Sequence, residues 1–174
     1  MVNIQLNKKS NNQIYQLFKT GILASRIMRP HLTQTVIDTV SNLSEKETVF
    51  ISGWHAPIEK EIHKVLVNHG KPHIHAGAKS IHKLACELVE DKVLFLTHCS
   101  EKVHRITREN ALRRNQIICE LSEQLLIPWL DPRGKTHEIV KDVCADIPVF
   151  VFDSHYNQEL IQSGAKSISE LQVM

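Results

Sequence analysis

Four short segments bring together residue types suited to holding an anion. Ser25-Arg26 offers a hydroxyl beside a guanidinium, whose planar fork donates two parallel hydrogen bonds to phosphate oxygens. In the stretch from Ser52 to His63, Ser52-Gly53 makes a turn that lets backbone approach a ligand, Pro57 fits the first turn of a helix, and Glu59 complements its positive end. Trp54, beside that turn, has the chemistry either to stack on a base or to pack. Arg113-Arg114-Asn115-Gln116-Ile117-Ile118 puts two cations and an amide ahead of an amphipathic run, and His104-Arg105-Ile106-Thr107-Arg108 precedes it, making this the strongest basic cluster in the chain. Asp131-Pro132-Arg133-Gly134-Lys135-Thr136 combines a turn with a lysine and a hydroxyl where a helix is expected to start, a favourable place for an anion. It is not a Walker loop, because Trp129 occupies the place of that motif's first glycine. Each segment also has a plainer account: a surface ion pair, a well-capped helix, a solvated charged face.

The elements that must position these residues follow from periodicity. Apolar runs at Leu17 to Leu23, Thr48 to Ser52, Pro72 to Ala76, Lys92 to Thr97, Gln124 to Trp129 and Ile147 to Phe152 predict about six strands. Helical spacing recurs between them: at Leu32 to Val40, Ile58 to Leu66, Ile81 to Leu88, Arg108 to Leu121, from Thr136 to before Pro148, and at Asn157 to Gln162. That alternation predicts an α/β fold, a Rossmann-like three-layer arrangement with a mostly parallel sheet and helices on both faces. Ligands of such sheets lie beyond the strand C-termini, so the loops starting at Ala24, Gly53, Gly77, His98 and Asp131 are the ones to inspect.

With 174 residues, 42% hydrophobic and 23% charged, the chain is sized and composed as one globular domain, with residues 1–12 as a possible tail. A net charge of +2 is too small for a protein that wraps nucleic acid, so any basic site must be local. No run matches a signal peptide or a membrane span, which predicts a cytoplasmic protein. Cys86, Cys99, Cys119 and Cys144 form no Cys-x-x-Cys pair, and are expected as reduced, mostly buried thiols. Of the 11 histidines, His73, His75 and His98 have no recognised zinc spacing, so no metal or cofactor is expected.

In order, these pieces resemble the Rossmann domain of the DNA-processing protein A (Smf/DprA) family, within the superfamily that also holds LOG-type phosphoribohydrolases. Ser25-Arg26 stands at that family's Gly-Ser-Arg, while Ser52, Gly53, Ile58, Glu59 and His63 follow Ser-Gly-x-x-x-Gly-Ile-Asp-x-x-x-His. Arg113-Arg114-Asn115-Gln116-Ile117-Ile118 with Leu121-Ser122 is similar to Arg-Arg-Asn-Arg-Ile-Ile-x-x-Leu-Ser, and Asn157 to Ala165 to the closing Asn-x-Leu-Ile-x-x-Gly-Ala. The resemblance spans about Gly21 to Leu171 and implies single-stranded DNA binding in a positive pocket, homodimerisation and delivery of DNA to a RecA-type recombinase. Its candidate ligand-binding residues are Ser25, Arg26, Ser52, Gly53, Glu59, His63, Arg113, Arg114, Asn115, Gly134, Lys135 and Thr136. The chain departs from the pattern at Pro57, Glu59 and Gln116 and is expected to be a minimal or divergent member, without the family's helical and winged-helix extensions. A non-catalytic sensor of a nucleotide or nucleotide-derived ligand needs the same pocket. LOG-type catalysis is disfavoured: Pro132 to Glu138 keeps only the outline of Pro-Gly-Gly-x-Gly-Thr-x-x-Glu, with two glycines missing, and no catalytic residue is assigned.

Overall fold

A computed structural model describes residues 4–6, 12–27, 29–81 and 92–171. Eight strands form one sheet in the order β1-β5-β4-β3-β2-β6-β7-β8. They are β1 (Gln5–Leu6), β2 (Phe18–Ile22), β3 (Thr48–Ser52), β4 (His73–Gly77), β5 (Val93–Thr97), β6 (Gln124–Ile127), β7 (Val149–Val151) and β8 (Lys166–Ser167). β2 to β8 are parallel, and β1 pairs antiparallel with β5. The described α-helices are α1 (Asn12–Gln16), α2 (Pro30–Ser44), α3 (Pro57–Asn68), α4 (Arg108–Leu121), α5 (Lys135–Val143) and α6 (Gln158–Gln162). The mostly parallel Rossmann-like sheet expected from the periodicity is present, with two further short strands. β1 falls in the segment expected as a tail, and the helix expected at Ile81 to Leu88 lies, beyond Ile81, outside the described residues.

Side-chain alternation along the strands divides the core between two faces. Val49, Ile51, Leu125, Ile127, Val149 and Val151 point to the side where Ile117 and Ile118 of α4, Val140 of α5 and Leu160 of α6 pack. Phe50, Leu126 and Phe150 point to the other, against Val36 and Val40 of α2 and Ile58, Ile62 and Leu66 of α3. The three layers follow from this division. After β5 the chain must return across the sheet to place β6 beside β2, and α4 is the last part of that crossover. It lies close over β2 because Gly21 carries no side chain: a Cβ there would collide with Ser122 Oγ and come within 2.6 Å of Leu125 Cδ2. The sheet therefore reverses its order at β2, which opens a crevice beyond the C-terminal ends of β2, β3 and β6.

Candidate functional site

That crevice holds a pocket of about 800 Å³, bounded by the loops after β2, β3 and β6 and by the start of α4. Three helices begin at its wall: α3 at Ala56, α4 at Thr107 and α5 at Gly134. The positive ends of these helices add to the potential of the Arg26, Arg108, Arg114 and Lys135 side chains.

Arg114 is the centre of the arrangement. The residue is only 8% exposed, yet no carboxylate among the described residues pairs with it. Asn115 Oδ1 accepts hydrogen bonds from Nε at 3.1 Å and from one terminal nitrogen at 2.8 Å. The other terminal nitrogen, Nη1, is buried without a hydrogen-bond partner. Burial pulls the guanidinium pKa down, opposed by the charge of Glu59, but an arginine remains charged at any physiological pH. Gly53 supplies the seat, since a Cβ at that position would lie 2.6 Å from Arg114 Cζ. Asn115 Nδ2 donates to the Thr136 hydroxyl at 3.0 Å, tying α4 to α5 and leaving the hydroxyl proton of Thr136 for a ligand.

Glu59 organises the opposite wall. Its carboxylate accepts from the Ala24 N–H at 3.0 Å, the His55 N–H at 2.8 Å and the Ala56 N–H at 3.1 Å, so it caps α3 and clamps the loop after β2 to it. That loop is braced from the other side as well. Ser25 N–H donates to Trp129 O at 3.0 Å, Trp129 Nε1 donates to Ile27 O at 2.6 Å, and Asp131 N–H donates to Ser25 Oγ at 2.6 Å. Ser25 therefore keeps its own proton for a ligand, and Arg26 extends exposed from a fixed backbone.

Of the residues singled out in the sequence, Ser25, Arg26, Glu59, Arg114, Asn115, Gly134, Lys135 and Thr136 line this pocket, with Gly53 directly behind Arg114. Three do not. Ser52 is fully buried and its Oγ accepts the Trp54 N–H at 3.3 Å, supporting the turn from beneath. His63 stacks on Trp54, centroids 5.2 Å apart, inside the layer under the pocket. Arg113 projects to the far side of α4, where it meets Glu120 at 2.9 Å and Gln116 at 3.0 Å. Trp54 packs rather than offering a stacking face: it is 5% exposed and donates from Nε1 to Ile74 O at 3.2 Å. Its φ of 55° is the strained price of turning the chain sharply after β3. The candidate residues did not include His55, Thr107, Arg108 or His137, which also line the pocket, although Thr107-Arg108 stood in the basic segment before α4. The signal for Thr107 was present in its N-cap position, where its hydroxyl accepts the Asn110 N–H at 3.1 Å. His55 has its pKa lowered to about 4, by burial first and then by Arg114 and the neighbouring cations. Among the described residues, no group of three or more His, Cys, Asp or Glu is placed to hold a metal ion.

Solved structures show where this architecture recurs. The DNA processing protein A of Helicobacter pylori, in a structure concerned with its single-stranded DNA binding mode, superimposes with a TM-score of 0.79 at 18% identity over 95% of this chain and 81% of its own. The protein of the same name from Streptococcus pneumoniae gives 0.79 at 19% identity, over 95% of this chain and 62% of its own. The fold is that of a DprA-like Rossmann domain. This chain thus spans less than two thirds of the S. pneumoniae chain. A molybdenum cofactor binding protein from Rippkaea orientalis is more distant, with a TM-score of 0.59 at 15% identity over 87% of each chain. No protein-family model and no curated protein sequence matches this chain. Among its described residues, no helix is long and apolar enough to cross a membrane.

Proposed function

We propose that this chain binds single-stranded DNA, holding the backbone phosphates in the pocket around Arg114. The observation that carries this reading is the buried Arg114 guanidinium at the pocket, which lacks an ion-pair partner among the described residues and whose Nη1 has no hydrogen-bond partner. A phosphate oxygen supplies both the missing charge and the missing acceptor. Arg26, Lys135 and the hydroxyls of Ser25 and Thr136 surround the same space. The likeness to the DNA processing proteins, one of them described as binding single-stranded DNA, favours a strand over a free anion. From the motif resemblance in the sequence, we extend the reading to a cytoplasmic homodimer that passes DNA to a RecA-type recombinase.

The test is a titration of labelled oligonucleotide at two salt concentrations beside a panel of free nucleotides. Binding is expected to weaken with salt, less steeply than for a protein neutralising about 6 to 10 phosphates. Arg114→Ala is expected to lower affinity about 10- to 100-fold for all sequences alike, because a phosphate contact does not read bases. Arg113→Ala, which alters only the Glu120 side of α4, should leave affinity within about twofold. Tight binding of one mononucleotide with no oligonucleotide binding would instead identify a nucleotide sensor.

A further inference from the structure

Beside the main pocket, across a ridge made by Ser25 and Asp131, lies a second depression of about 370 Å³. Ser25 and Asp131 line both, so the two are contiguous. Trp129, Arg29, Arg133 and Tyr156 are among the residues that line it. We propose that this depression is a second nucleotide subsite, in which a base adjoining the phosphate held at Arg114 stacks on the Arg29–Tyr156 platform. The proposal rests on the reading of the main pocket as a DNA site.

The platform is built for a planar ligand. Arg29 Cζ lies 3.7 Å from the centroid of the Tyr156 ring, so the cation is held against the aromatic face. The His155 ring lies against the same tyrosine with centroids 3.7 Å apart, which adds to the aromatic surface. Among the described residues Arg29 has no ion-pair partner, and its Nε is buried without a hydrogen-bond acceptor. A nucleobase has the planar face to stack on the guanidinium held there.

The surroundings suit a strand rather than an isolated base. The Arg133 side chain is 93% exposed at the rim, within reach of a backbone phosphate. Asp131 would repel that backbone, but its Oδ1 accepts the Arg133 N–H at 3.0 Å and lies 3.7 Å from Arg133 Nε, so its charge is opposed. Ile27 is 53% exposed beside the depression and offers an apolar edge to a sugar or base. The loop carrying these residues is already fixed by the Trp129 Nε1 bond to Ile27 O at 2.6 Å, so little ordering is left for binding.

The experiment uses a 5′-phosphorylated pentathymidylate carrying 2-aminopurine at each position in turn, with thymidine 5′-phosphate as the single-nucleotide comparison. On the wild-type chain, fluorescence at one or two positions should be quenched severalfold on binding. Arg29→Leu should abolish that quenching and weaken the pentanucleotide about tenfold, while thymidine 5′-phosphate binding stays within twofold. Arg29→Lys, which keeps the charge and loses the plane, should also abolish the quenching while retaining most of the salt dependence. Tyr156→Leu should act as Arg29→Leu does, with circular dichroism confirming that both variants are folded. If the pentanucleotide binds in an Arg114-dependent manner but Arg29→Leu and Arg29→Lys change neither quenching nor affinity, the subsite is refuted and the main pocket stands. If the wild-type chain does not bind the pentanucleotide, or Arg114→Ala has no effect on it, both are overturned.

Discussion

Arg114 owes its position to the residue it lies on. Alanine at position 53 would bring a Cβ within 2.6 to 2.8 Å of the guanidinium Cζ, Nη1 and Nε, so the flexible end of the arginine must swing away. Because Gly53 has no positive φ, its backbone accepts alanine without strain. Gly53→Ala should therefore leave the thermal midpoint nearly unchanged and weaken oligonucleotide binding about tenfold. In an Arg114→Ala background the same substitution should cost nothing further, and additive losses in that double-mutant cycle would show that Gly53 acts independently. The pair Arg113-Arg114 also shows what was legible at this scale. Two adjacent cations in an amphipathic segment announce a basic helix, but neighbours on a helix point about 100° apart, so only one can face the pocket. Which one depends on how α4 rotates over Gly21, a contact between segments distant in sequence, and periodicity does not encode it.

The three helices that begin at the pocket wall start by different chemistry: a carboxylate on α3, a threonine cap on α4, a glycine on α5. The turn before α5 is the one that most resembles a catalytic loop, and its geometry argues against turnover. Glu138 is exposed, and Lys135 Nζ donates to both its carboxylate oxygens at 3.0 and 2.8 Å, while the wall of the pocket is made by Gly134, Lys135 and Thr136 instead. Incubation with adenosine, guanosine and cytidine 5′-monophosphates should release no free base by chromatography; turnover abolished by Glu138→Gln would refute this. Elements of five residues or more with clear apolar spacing were legible to within a few positions, as β3 and α4 show at Thr48–Ser52 and Arg108–Leu121. β1 and β8 were not, because two residues carry no period and their pairing is decided by neighbouring strands.

Across the whole molecule, the sheet's reversal at β2 fixes where a ligand can enter, and the layer below that entrance is rich in imidazoles. His63 on α3 lies 4.8 Å from His73 and 6.5 Å from His75, which are on β4, and His75 lies 6.5 Å from His55 at the pocket and stacks on Phe95 of β5 at 5.4 Å. Burial holds the pKa of His73 at about 4, although a bond between Nδ1 and Lys71 O at 3.0 Å favours protonation. Burial, then His55, holds His75 at about 3. Both folded values lie below the ordinary imidazole value of 6.5, so between pH 6.5 and these values the unfolded chain binds more protons. Stability is therefore complete above pH 6.5 and falls as the pH drops toward 4 and 3. At pH 5 each of these two imidazoles should cost about 2 kcal/mol relative to pH 7.5. Urea midpoints measured at pH 7.5, 6 and 5 should decline in that order. His73→Asn, which keeps a donor near the Lys71 carbonyl and cannot titrate in this range, should flatten the decline. A midpoint independent of pH over this interval would mean that the buried imidazoles take up protons without unfolding, and that the layer beneath the pocket is open to water.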